Sequence, residues 1–264
     1  MREISGKGRG TVCLIVLAIN VDRNFRYVLC ANRDEFHHRP SKGASFWKDD
    51  SRIYAGRDLE KGGTWLGVTT DGKIACVTNI RQKEPVKSYR SRGEIVANFL
   101  MSDVDCFDYA KTVKTRDDMY RGYNAIVANG DSFVYFSNAV EKIERLTDGF
   151  YTLSNATLHT IWPKEVKAKQ LVENALKQNK REESLIDELV ARFYDQTVFA
   201  DEWLPNTGVG IERERFLSPI FIKDETYGTR ATTVVLKKRD GTTIFVEQTY
   251  RENGIPLERT VMTF

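Results

Sequence analysis

A continuous apolar run at residues 12–18, rich in β-branched side chains, restricts the fold of this chain more than any other feature. Such a run is typical of a short strand that is fully buried. Cys13 stands at the mouth of this strand, where a thiol is either a core residue or a nucleophile. A dense polar cluster, Asn32 to Glu35, follows the next predicted strand, and the hydrophobic core would not select such residues. Other features of the sequence are needed to distinguish a core cysteine from a nucleophile.

Composition excludes several classes of protein. The 264 residues carry a formal net charge of +3, with both signs interspersed, whereas nucleic-acid binding needs basic residues gathered into a patch. No segment approaches the ~20 apolar residues of a membrane span. The first eleven residues lack the apolar centre of a secretory signal, and the four cysteines form no CxxC pair. We therefore expect a cytoplasmic protein with no nucleic-acid partner and no transmembrane segment; its oligomeric state is left open.

The strand pattern is mostly one of hairpins. Residues 12–21 and 26–33 are predicted to form adjacent strands, joined by a turn at 22–25. Asp-Gly or Gly-Asp pairs at 71–72, 130–131 and 240–241 each separate two β-rich runs and so predict three more hairpins. Short strands are also predicted at 151–154 and 259–264, and residues 40–54 are predicted to form loops.

Three helices are predicted, grouped towards the middle of the chain. Residues 91–94 have the spacing of a capping box, which predicts a helix that continues to residue 101. Helices at 162–178 and 183–193 have apolar residues every three or four positions, and the lysines of residues 164–169 are interpreted as a solvated face. This order of elements indicates an α+β layered domain and not a repeating βαβ unit.

Several motifs together resemble the NRDE, or transport and Golgi organisation 2, family, over residues 12–234. The motifs are VCLIVLA from residue 12, ANRDEF from 31, AGRDLEKGGTWLG from 55, TN at 78, SRGE at 91, LSNA at 153 and YGTRATTV from 227. The resemblance implies the fold of the N-terminal nucleophile hydrolases, a four-layer αββα sandwich of two antiparallel sheets flanked by helices. It also implies one such domain over residues 12–264, and a likeness to the choloylglycine and penicillin V acylases, which cleave linear amides.

In an N-terminal nucleophile enzyme the first residue supplies both the nucleophile and the base. Its free α-amine, with an unperturbed pKa of roughly 8, accepts the proton of the side chain. A peptide nitrogen has no such basicity, so Cys13 fits this role only as the first residue. Family members begin with Met-Cys, whereas Val12 precedes Cys13 here. We expect residues 1–11 to be an extension from a mis-assigned start, with a GUG codon written as valine; the alternative is self-cleavage before Cys13.

The polar cluster supplies candidate partners for the thiol. Alternation along a strand groups Asn32 with Asp34 and Arg33 with Glu35. One of these pairs is expected to face Cys13, to orient the amine and to lower the pKa of the thiol. The alternative interpretation is a surface ion-pair cluster at the end of a strand.

Resemblance to the acylases implies three further site residues. Asn79 takes the position of an oxyanion donor, Asn155 that of a contact to the α-amine or carbonyl, and Arg230 that of an arginine near the thiol. An amide donor in an oxyanion hole contributes up to ~3–4 kcal/mol. The alternatives are asparagines that bond to their own turns and an ordinary surface arginine. The candidate catalytic residues are therefore Cys13, Asn32, Arg33, Asp34, Asn79, Asn155 and Arg230.

Two other features are interpreted as structural. Gly62 and Gly63 predict a tight turn beside a packing tryptophan, because the Lys-Ser/Thr pair of a phosphate-binding loop is missing. His37, His38 and His159 are too few and too far apart for a metal site. No cofactor is predicted, although haem remains an open choice as a ligand.

The sequence leaves two functions open. The first is a thiol amidohydrolase in which Cys13 attacks a linear acyl amide. Arg33, Arg57 and Arg230 would then favour a small amide that carries a carboxylate or phosphate. The second follows from the family's animal members, which are associated with Golgi organisation, lipid metabolism and haem trafficking. It is a non-catalytic protein that carries an amphipathic anionic ligand such as haem or an acyl lipid.

Overall fold

A computed structural model describes residues 13–81, 89–178 and 181–264, so the expectations for residues 1–11 and Val12 lie outside the described residues. The strands are β1 (Cys13–Ile19), β2 (Phe25–Phe36), β3 (Ser41–Phe46), β4 (Ile53–Asp58), β5 (Leu66–Thr69), β6 (Lys73–Asn79), β7 (Tyr123–Asn129), β8 (Ser132–Ser137), β9 (Glu144–Leu146), β10 (Gly149–Leu153), β11 (Tyr227–Lys238), β12 (Thr243–Tyr250) and β13 (Pro256–Thr263). The helices are α1 (Gly93–Met101), α2 (Cys106–Lys114), α3 (Pro163–Lys177), α4 (Glu182–Arg192) and α5 (Ile211–Phe216).

The strands form two antiparallel sheets. The first sheet has the order β10-β1-β2-β11-β12-β13, and the second runs β3-β4-β5-β6-β7-β8-β9. Strands β1 and β2 therefore lie in the interior of the first sheet, next to β11, which comes some 200 residues later in the chain, as the Asn32–Thr232 hydrogen bond shows.

Three apolar clusters divide the molecule into four layers. Leu17 and Tyr54 belong to the cluster between the sheets. Val16 packs with Val172 of α3, so α3 and α4 cover the outer face of the first sheet. Phe99 belongs to a third cluster, in which α1 and α2 cover the second sheet. The predicted αββα sandwich is confirmed, and the run of apolar residues in β1 is explained because both faces of that strand are buried.

The hairpins predicted from Asp-Gly and Gly-Asp pairs are confirmed. Gly72, Gly130 and Gly241 have φ angles of +99°, +58° and +98°, and each connects two paired strands. Glycine reaches this backbone region without the steric penalty of a Cβ atom. These local signals therefore fixed the register of three strand pairs.

The prediction of loops at residues 40–54 is wrong, because β3 and part of β4 lie there. Strand β3 is an edge strand whose register with β4 shifts between Lys42 and Ser45. A bulged edge strand loses the strict alternation by which strands are recognised. Helix α2 was not predicted either, although Asp105 caps it by accepting hydrogen bonds from the backbone N–H groups of Phe107 and Asp108.

Helix α1 is confirmed, but its predicted capping box does not form. Arg92 is the N-cap residue and makes no capping hydrogen bond with its side chain. The carboxylate of Glu94 instead pairs with Arg90 and accepts a hydrogen bond from the hydroxyl of Tyr120. Tertiary partners thus compete for the side chain that the local pattern assigns to the cap.

No helix among the described residues combines the length and the apolar character that a membrane crossing requires.

The paired glycines at 62 and 63 form a turn that lies directly against helix α1. Gly62 has a φ of +76°. A Cβ atom on Gly63 would lie 2.5 Å from the carbonyl carbon of Gly93, and the backbone N–H of Thr64 bonds to the Gly93 oxygen. The turn therefore needs glycine for close backbone packing, as the sequence indicates, and it places Trp65 beside β2.

We expect Gly63→Ala to lower the free energy of unfolding by about 2–3 kcal/mol, because backbone atoms of two segments must move apart. Gly43→Ala is the matched control, since its Cβ would meet only ordinary contacts, the nearest at 3.6 Å. Urea denaturation of both variants measures the difference. Equal stability of the two variants would contradict the contact.

Candidate active site

Cys13 and Arg33 lie directly opposite each other on β1 and β2. The register pairs Cys13 with Arg33, Leu14 with Asn32 and Ile15 with Ala31. Cys13 has the same parity as Ile15, which belongs to the cluster between the sheets, so the thiol and Arg33 face the second sheet. Cys13 is only 8% exposed. The polar cluster is thus not a strand-end surface cluster, because β2 continues through it to Phe36.

The guanidinium of Arg33 is buried between the sheets. Its Cζ lies 4.0 Å from the ring centroid of Trp65, and its Nη1 donates to the hydroxyl of Ser41 at 3.5 Å. Burial lowers the pKa of Arg33, while the charges of Glu35 and Cys13 raise it. A stacked guanidinium with few hydrogen bonds keeps its charge available to a neighbouring anion.

Arg230 approaches Arg33 from β11. The register with β2 skips from Thr229 to Ala231, so Arg230 is the extra residue of a bulge. Its guanidinium donates to the backbone oxygens of Phe36 (2.9 Å) and Arg39 (3.0 Å) and to the hydroxyl of Ser41 (3.3 Å). The two arginines therefore meet at Ser41.

Glu247 is a buried carboxylate on the side of Arg33 away from β1. Its Oε1 accepts from the backbone N–H of Ala44 at 2.7 Å, and its Oε2 from the hydroxyl of Thr233 at 3.4 Å. Burial raises the pKa of Glu247 to about 7, against the lowering effects of the Ala44 N–H and of Arg33. The sequence pattern gave no reason to select this residue.

Asp34 faces α3 and interacts with Lys164. Its Oδ1 accepts from the hydroxyl of Thr229 at 2.6 Å. Burial raises the pKa of Asp34 to about 7, while the Lys164 ammonium and the Thr229 hydrogen bond act in the opposite direction. Burial lowers the pKa of Lys164 to about 8; Arg81 adds to the lowering and Asp34 opposes it.

The prediction that the lysines of residues 164–169 form a solvated face is wrong for Lys164. This side chain is buried, with only 3% of the residue exposed, and its Nζ donates to the backbone oxygen of Leu217 at 3.2 Å. Lys164 is four and eight residues before Ala168 and Val172, so it lies on the apolar stripe of α3. That spacing was the signal in the sequence that identifies it as an inward-facing residue.

The environment makes the Cys13 thiol a weak acid within the chain. Burial raises the pKa of Cys13 to about 12, and the negative charge of Asp34 adds to this rise. The backbone N–H of Asp34 and the guanidinium of Arg33 favour the thiolate but do not outweigh burial. The expectation that the polar cluster lowers this pKa is therefore corrected: Arg33 has that effect, and Asp34 as a charge has the opposite one.

Asn79 and Asn155 lie together at the same end of the sandwich. Asn155 lies two residues after Leu153, the last residue of β10. Leu153 pairs with Ile15 of β1, and Cys13 lies two residues before Ile15. The amide nitrogen of Asn155 donates to the backbone oxygen of Asn79 at 2.7 Å. The backbone oxygen of Asn155 accepts from Arg81 at 2.8 Å. Both asparagines are buried.

Asn32 lies on the face of β2 that is turned away from Cys13. Its amide nitrogen donates to the backbone oxygens of Phe193 (2.9 Å) and Ile220 (2.8 Å), and its oxygen accepts from Thr232 at 2.7 Å. These partners are at the end of α4, in the loop before β11 and on β11. The structure therefore places Asn32 apart from the thiol, in a bridge between the sheet and the segments that cover it.

Arg57 lies apart from the Arg33–Arg230 pair. Its guanidinium makes a bidentate ion pair with Asp49, with N–O distances of 2.7 and 2.8 Å. The guanidinium also stacks on Trp47, with its Cζ 3.8 Å from the ring centroid. Among the described residues no group of three or more His, Cys, Asp or Glu side chains is arranged to hold a metal ion. His159 bonds to Glu144 instead.

The four layers, with a cysteine opposite an arginine on central strands, define a four-layer αββα sandwich of the α+β class. Residues 12–252 match the sequence profile described as Transport and Golgi organisation 2. The chain is 37% identical to the Transport and Golgi organization 2 homolog of Mus musculus, over 90% of this chain and 92% of the relative. It is 35% identical to that of Homo sapiens, over 92% and 95%. The chain belongs to the Transport and Golgi organisation 2 family.

Two solved structures are also similar to the chain. One is the Caenorhabditis elegans N-acylethanolamine-hydrolyzing acid amidase ortholog, with 12% identity, 85% of this chain and 92% of that chain covered, and a TM-score of 0.46. The other is a mutant conjugated bile acid hydrolase from Clostridium perfringens, with 8% identity, coverage of 94% and 92%, and a TM-score of 0.47.

The placement of Asn32 predicts a structural effect for its removal. Asn32→Ala removes a donor to two buried backbone oxygens and the acceptor of the Thr232 hydroxyl, so the free energy of unfolding should fall by about 2–3 kcal/mol. The exposed Asn129, changed to Ala, is the control and should remain within ~0.5 kcal/mol of the parent. Chemical denaturation measures both. A loss for Asn32→Ala no larger than that of the control would contradict this role.

The buried carboxyl of Glu247 predicts a pH dependence of stability. Its pKa rises from 4.5 in the unfolded chain to about 7 in the folded protein. Its contribution to stability is therefore fully present below pH 4.5 and is lost as the pH rises to about 7. Glu247→Gln should remove this loss, so its stability relative to the parent should increase by up to about 3 kcal/mol over that range. Denaturation midpoints at several pH values measure the change.

The exposed Glu225, changed to Gln, provides the control for this pH series. Its stability should follow that of the parent at every pH. A constant difference between Glu247→Gln and the parent from pH 4.5 to 7 would show that the Glu247 carboxyl does not titrate there.

Proposed function

We propose that this protein is a cysteine amidohydrolase that cleaves a linear acyl amide, with Cys13 as its nucleophile and mature N-terminus. The observation that carries the proposal is the register that sets Cys13 against the buried, stacked guanidinium of Arg33. Catalysis by a thiol requires a stabilised thiolate near groups that bind the developing oxyanion. Asn79 and Asn155 lie at the same end of the sandwich and supply amide groups there.

The proposed reaction has two steps. The Cys13 sulfur attacks the amide carbonyl carbon, the C–N bond breaks, and the amine leaves with a proton delivered through the α-amine of Cys13. Water then attacks the thioester carbonyl, the C–S bond breaks, and the carboxylic acid and the thiol are released. Asn79 is the proposed donor to the oxyanion in both steps, and Arg33 stabilises the thiolate.

A free α-amine is needed because the surroundings of the thiol do not ionise it. Within the longer chain, burial holds the pKa of Cys13 near 12, so the thiolate is scarce at neutral pH. An ammonium group on the same residue would favour the thiolate by its charge, and the neutral amine would accept the proton. The family profile begins at residue 12, so residues 1–11 lie outside the region that the family shares.

The two arginines indicate the charge of the substrate. Arg33 is buried and Arg230 is half-buried, both contact Ser41, and desolvation lowers the pKa of each guanidinium. A carboxylate or phosphate on the substrate would compensate these two neighbouring cations. We therefore propose an acyl amide with an anionic group.

A second candidate function is a non-catalytic carrier in transport linked to the Golgi, as the family name suggests. The high pKa of the Cys13 thiol supports this carrier function for the form of the protein that retains residues 1–12. The same pair of arginines would then hold the anionic group of an amphipathic ligand such as haem or an acyl lipid.

The proposed nucleophile can be tested with two forms of the protein, one beginning at Cys13 and one retaining residues 1–12. We expect an N-acyl aminocoumarin with a terminal carboxylate on the acyl chain to acylate only the first form, with a burst of free aminocoumarin and a thioester on Cys13 found by intact-mass spectrometry. Cys13→Ala should abolish the burst, and Cys76→Ala should keep it. Intact-mass analysis of the native protein shows which form the cell produces.

A burst that is equal in both forms, or absent from the form that begins at Cys13, would contradict the amidohydrolase. The carrier makes a different prediction, because its ligand should bind equally well with residues 1–12 attached. Binding of the carboxylated amide to Cys13→Ala, weakened by Arg230→Met and without turnover in any form, would support the carrier.

A further inference from the structure

The segments that carry the two candidate oxyanion residues are tied together at the end of β6. The amide nitrogen of Asn155 donates to the backbone oxygen of Asn79 at 2.7 Å, and the backbone N–H of Arg81 donates to the backbone oxygen of Asn155 at 2.8 Å. The N–H of Ile80, between these two bonds, bonds instead to the oxygen of Gly122 at 2.9 Å. Alternate residues after the end of β6 therefore bind Asn155, as alternate residues of a strand bind one neighbour.

The side chain of Arg81 is buried and connects this segment to two helices. Its Nη1 donates to Oε2 of Glu214 in α5 at 2.5 Å, and the two side chains are only 8% and 3% exposed. The other oxygen of Glu214 accepts from the backbone N–H of Thr207 at 2.9 Å and from its hydroxyl at 2.6 Å. The Cζ of Arg81 also lies 5.1 Å from the ring centroid of Trp162, the N-cap residue of α3. The Glu214 carboxylate is thus held independently of Arg81.

Stability alone does not explain this ion pair. Removing two charges from water costs about as much free energy as their attraction returns, so a buried ion pair adds little net stability. The Nη2 atom of Arg81 is buried as well and has no hydrogen-bond partner among the described residues. A buried N–H group without a partner carries a further cost in free energy. The position of Arg81 is better explained by the segment that it holds in place.

That segment lies close to the thiol. Strands β1 and β6 approach each other across the space between the sheets, with Cα atoms within 8 Å. Burial raises the pKa of Cys76 of β6 to about 12, and Cys13 adds to this rise, so the two thiols are neighbours. Asn79 lies three residues after Cys76, at the end of the same strand. A displacement of this strand end would therefore move Asn79 relative to the sulfur of Cys13.

We propose that Arg81 is a positioning residue, which through its ion pair with Glu214 holds Asn79 and Asn155 where the oxyanion forms. The inference rests on the proposed amidohydrolase function, in which Asn79 is the oxyanion donor. Arg81 acts through the two asparagines and not on the substrate. A displacement of ~1 Å at a catalytic site can lower a rate by about a hundredfold. Since Glu214 balances its charge, Arg81 should affect acylation much more than the ionisation of the thiol.

The test removes both charges of the pair together, so that no unpaired charge is left buried. In the form that begins at Cys13, Arg81→Met combined with Glu214→Gln should lower the rate constant of acylation by the N-acyl aminocoumarin at least about tenfold. The half-saturating substrate concentration should stay within about twofold of the parent value. Alkylation of Cys13 by iodoacetamide needs a thiolate but no oxyanion donor, so its rate should not change. Arg81→Lys keeps one N–H donor for Glu214 and should recover most of the acylation rate.

Arg215→Met combined with Asp201→Asn is the matched control, because it removes an exposed ion pair made by the same helix, α5. Its acylation and alkylation rates should equal those of the parent. Equal acylation by the parent and by the variant without the Arg81–Glu214 pair overturns the inference. A parallel fall in acylation and alkylation overturns it too, because a general disruption of the site would have that effect.

Amide exchange distinguishes a failure of this inference from a failure of the proposed function. The backbone N–H of residue 81 is present in every variant. Its exchange with deuterium, followed by NMR, should be faster without the Arg81–Glu214 pair, because the segment is held less firmly. A parent protein that begins at Cys13 and forms no thioester contradicts the amidohydrolase, whatever the exchange rate. Unchanged exchange at residue 81 overturns the role of Arg81, whether or not the parent is active.

Discussion

The cation of Arg33, held between two sheets, is the constraint on which the surroundings of the thiol depend. A buried guanidinium is stable only with aromatic or anionic neighbours, and here Trp65 stacks on it while Glu247 and Asp58 lie within electrostatic range. The Gly62–Gly63 turn brings Trp65 to that position. This end of the sandwich is therefore polar inside, whereas the other parts of the space between the sheets are filled with apolar side chains.

The sequence predicted the fold well wherever the signals were local. Hairpins with Asp-Gly or Gly-Asp turns and the amphipathic helices α3 and α4 formed as expected, because a few neighbouring residues determine them. The errors came from competition and irregularity. Strand β3 is bulged at an edge, and Glu94 bonds to Tyr120 in place of its own helix end. Such outcomes depend on which distant segments come into contact, and local sequence patterns do not predict those contacts.

The candidate site was predictable in position but not in electrostatics. Strand alternation grouped Arg33 apart from Asn32, and the structure shows that Arg33 is the one opposite Cys13. The sign of the change in the Cys13 pKa follows from burial, which only the packing of all four layers determines. Lys164 could have been found from its place on the apolar stripe of α3. Glu247 could not, because the Ala44 N–H that it binds comes from a strand 203 residues away in the chain.

The central position of β11 has a consequence for the order in which the molecule is made. Strand β2 is paired on one side by β1, its neighbour in the chain, and on the other by β11, about 200 residues later. During synthesis the β1–β2 hairpin leaves the ribosome early, and its second edge stays open until β11 follows. Contacts so distant in sequence form slowly, because a long loop must close first. Cys13 is thus synthesised well before β11, the strand that completes the surroundings of its partner Arg33.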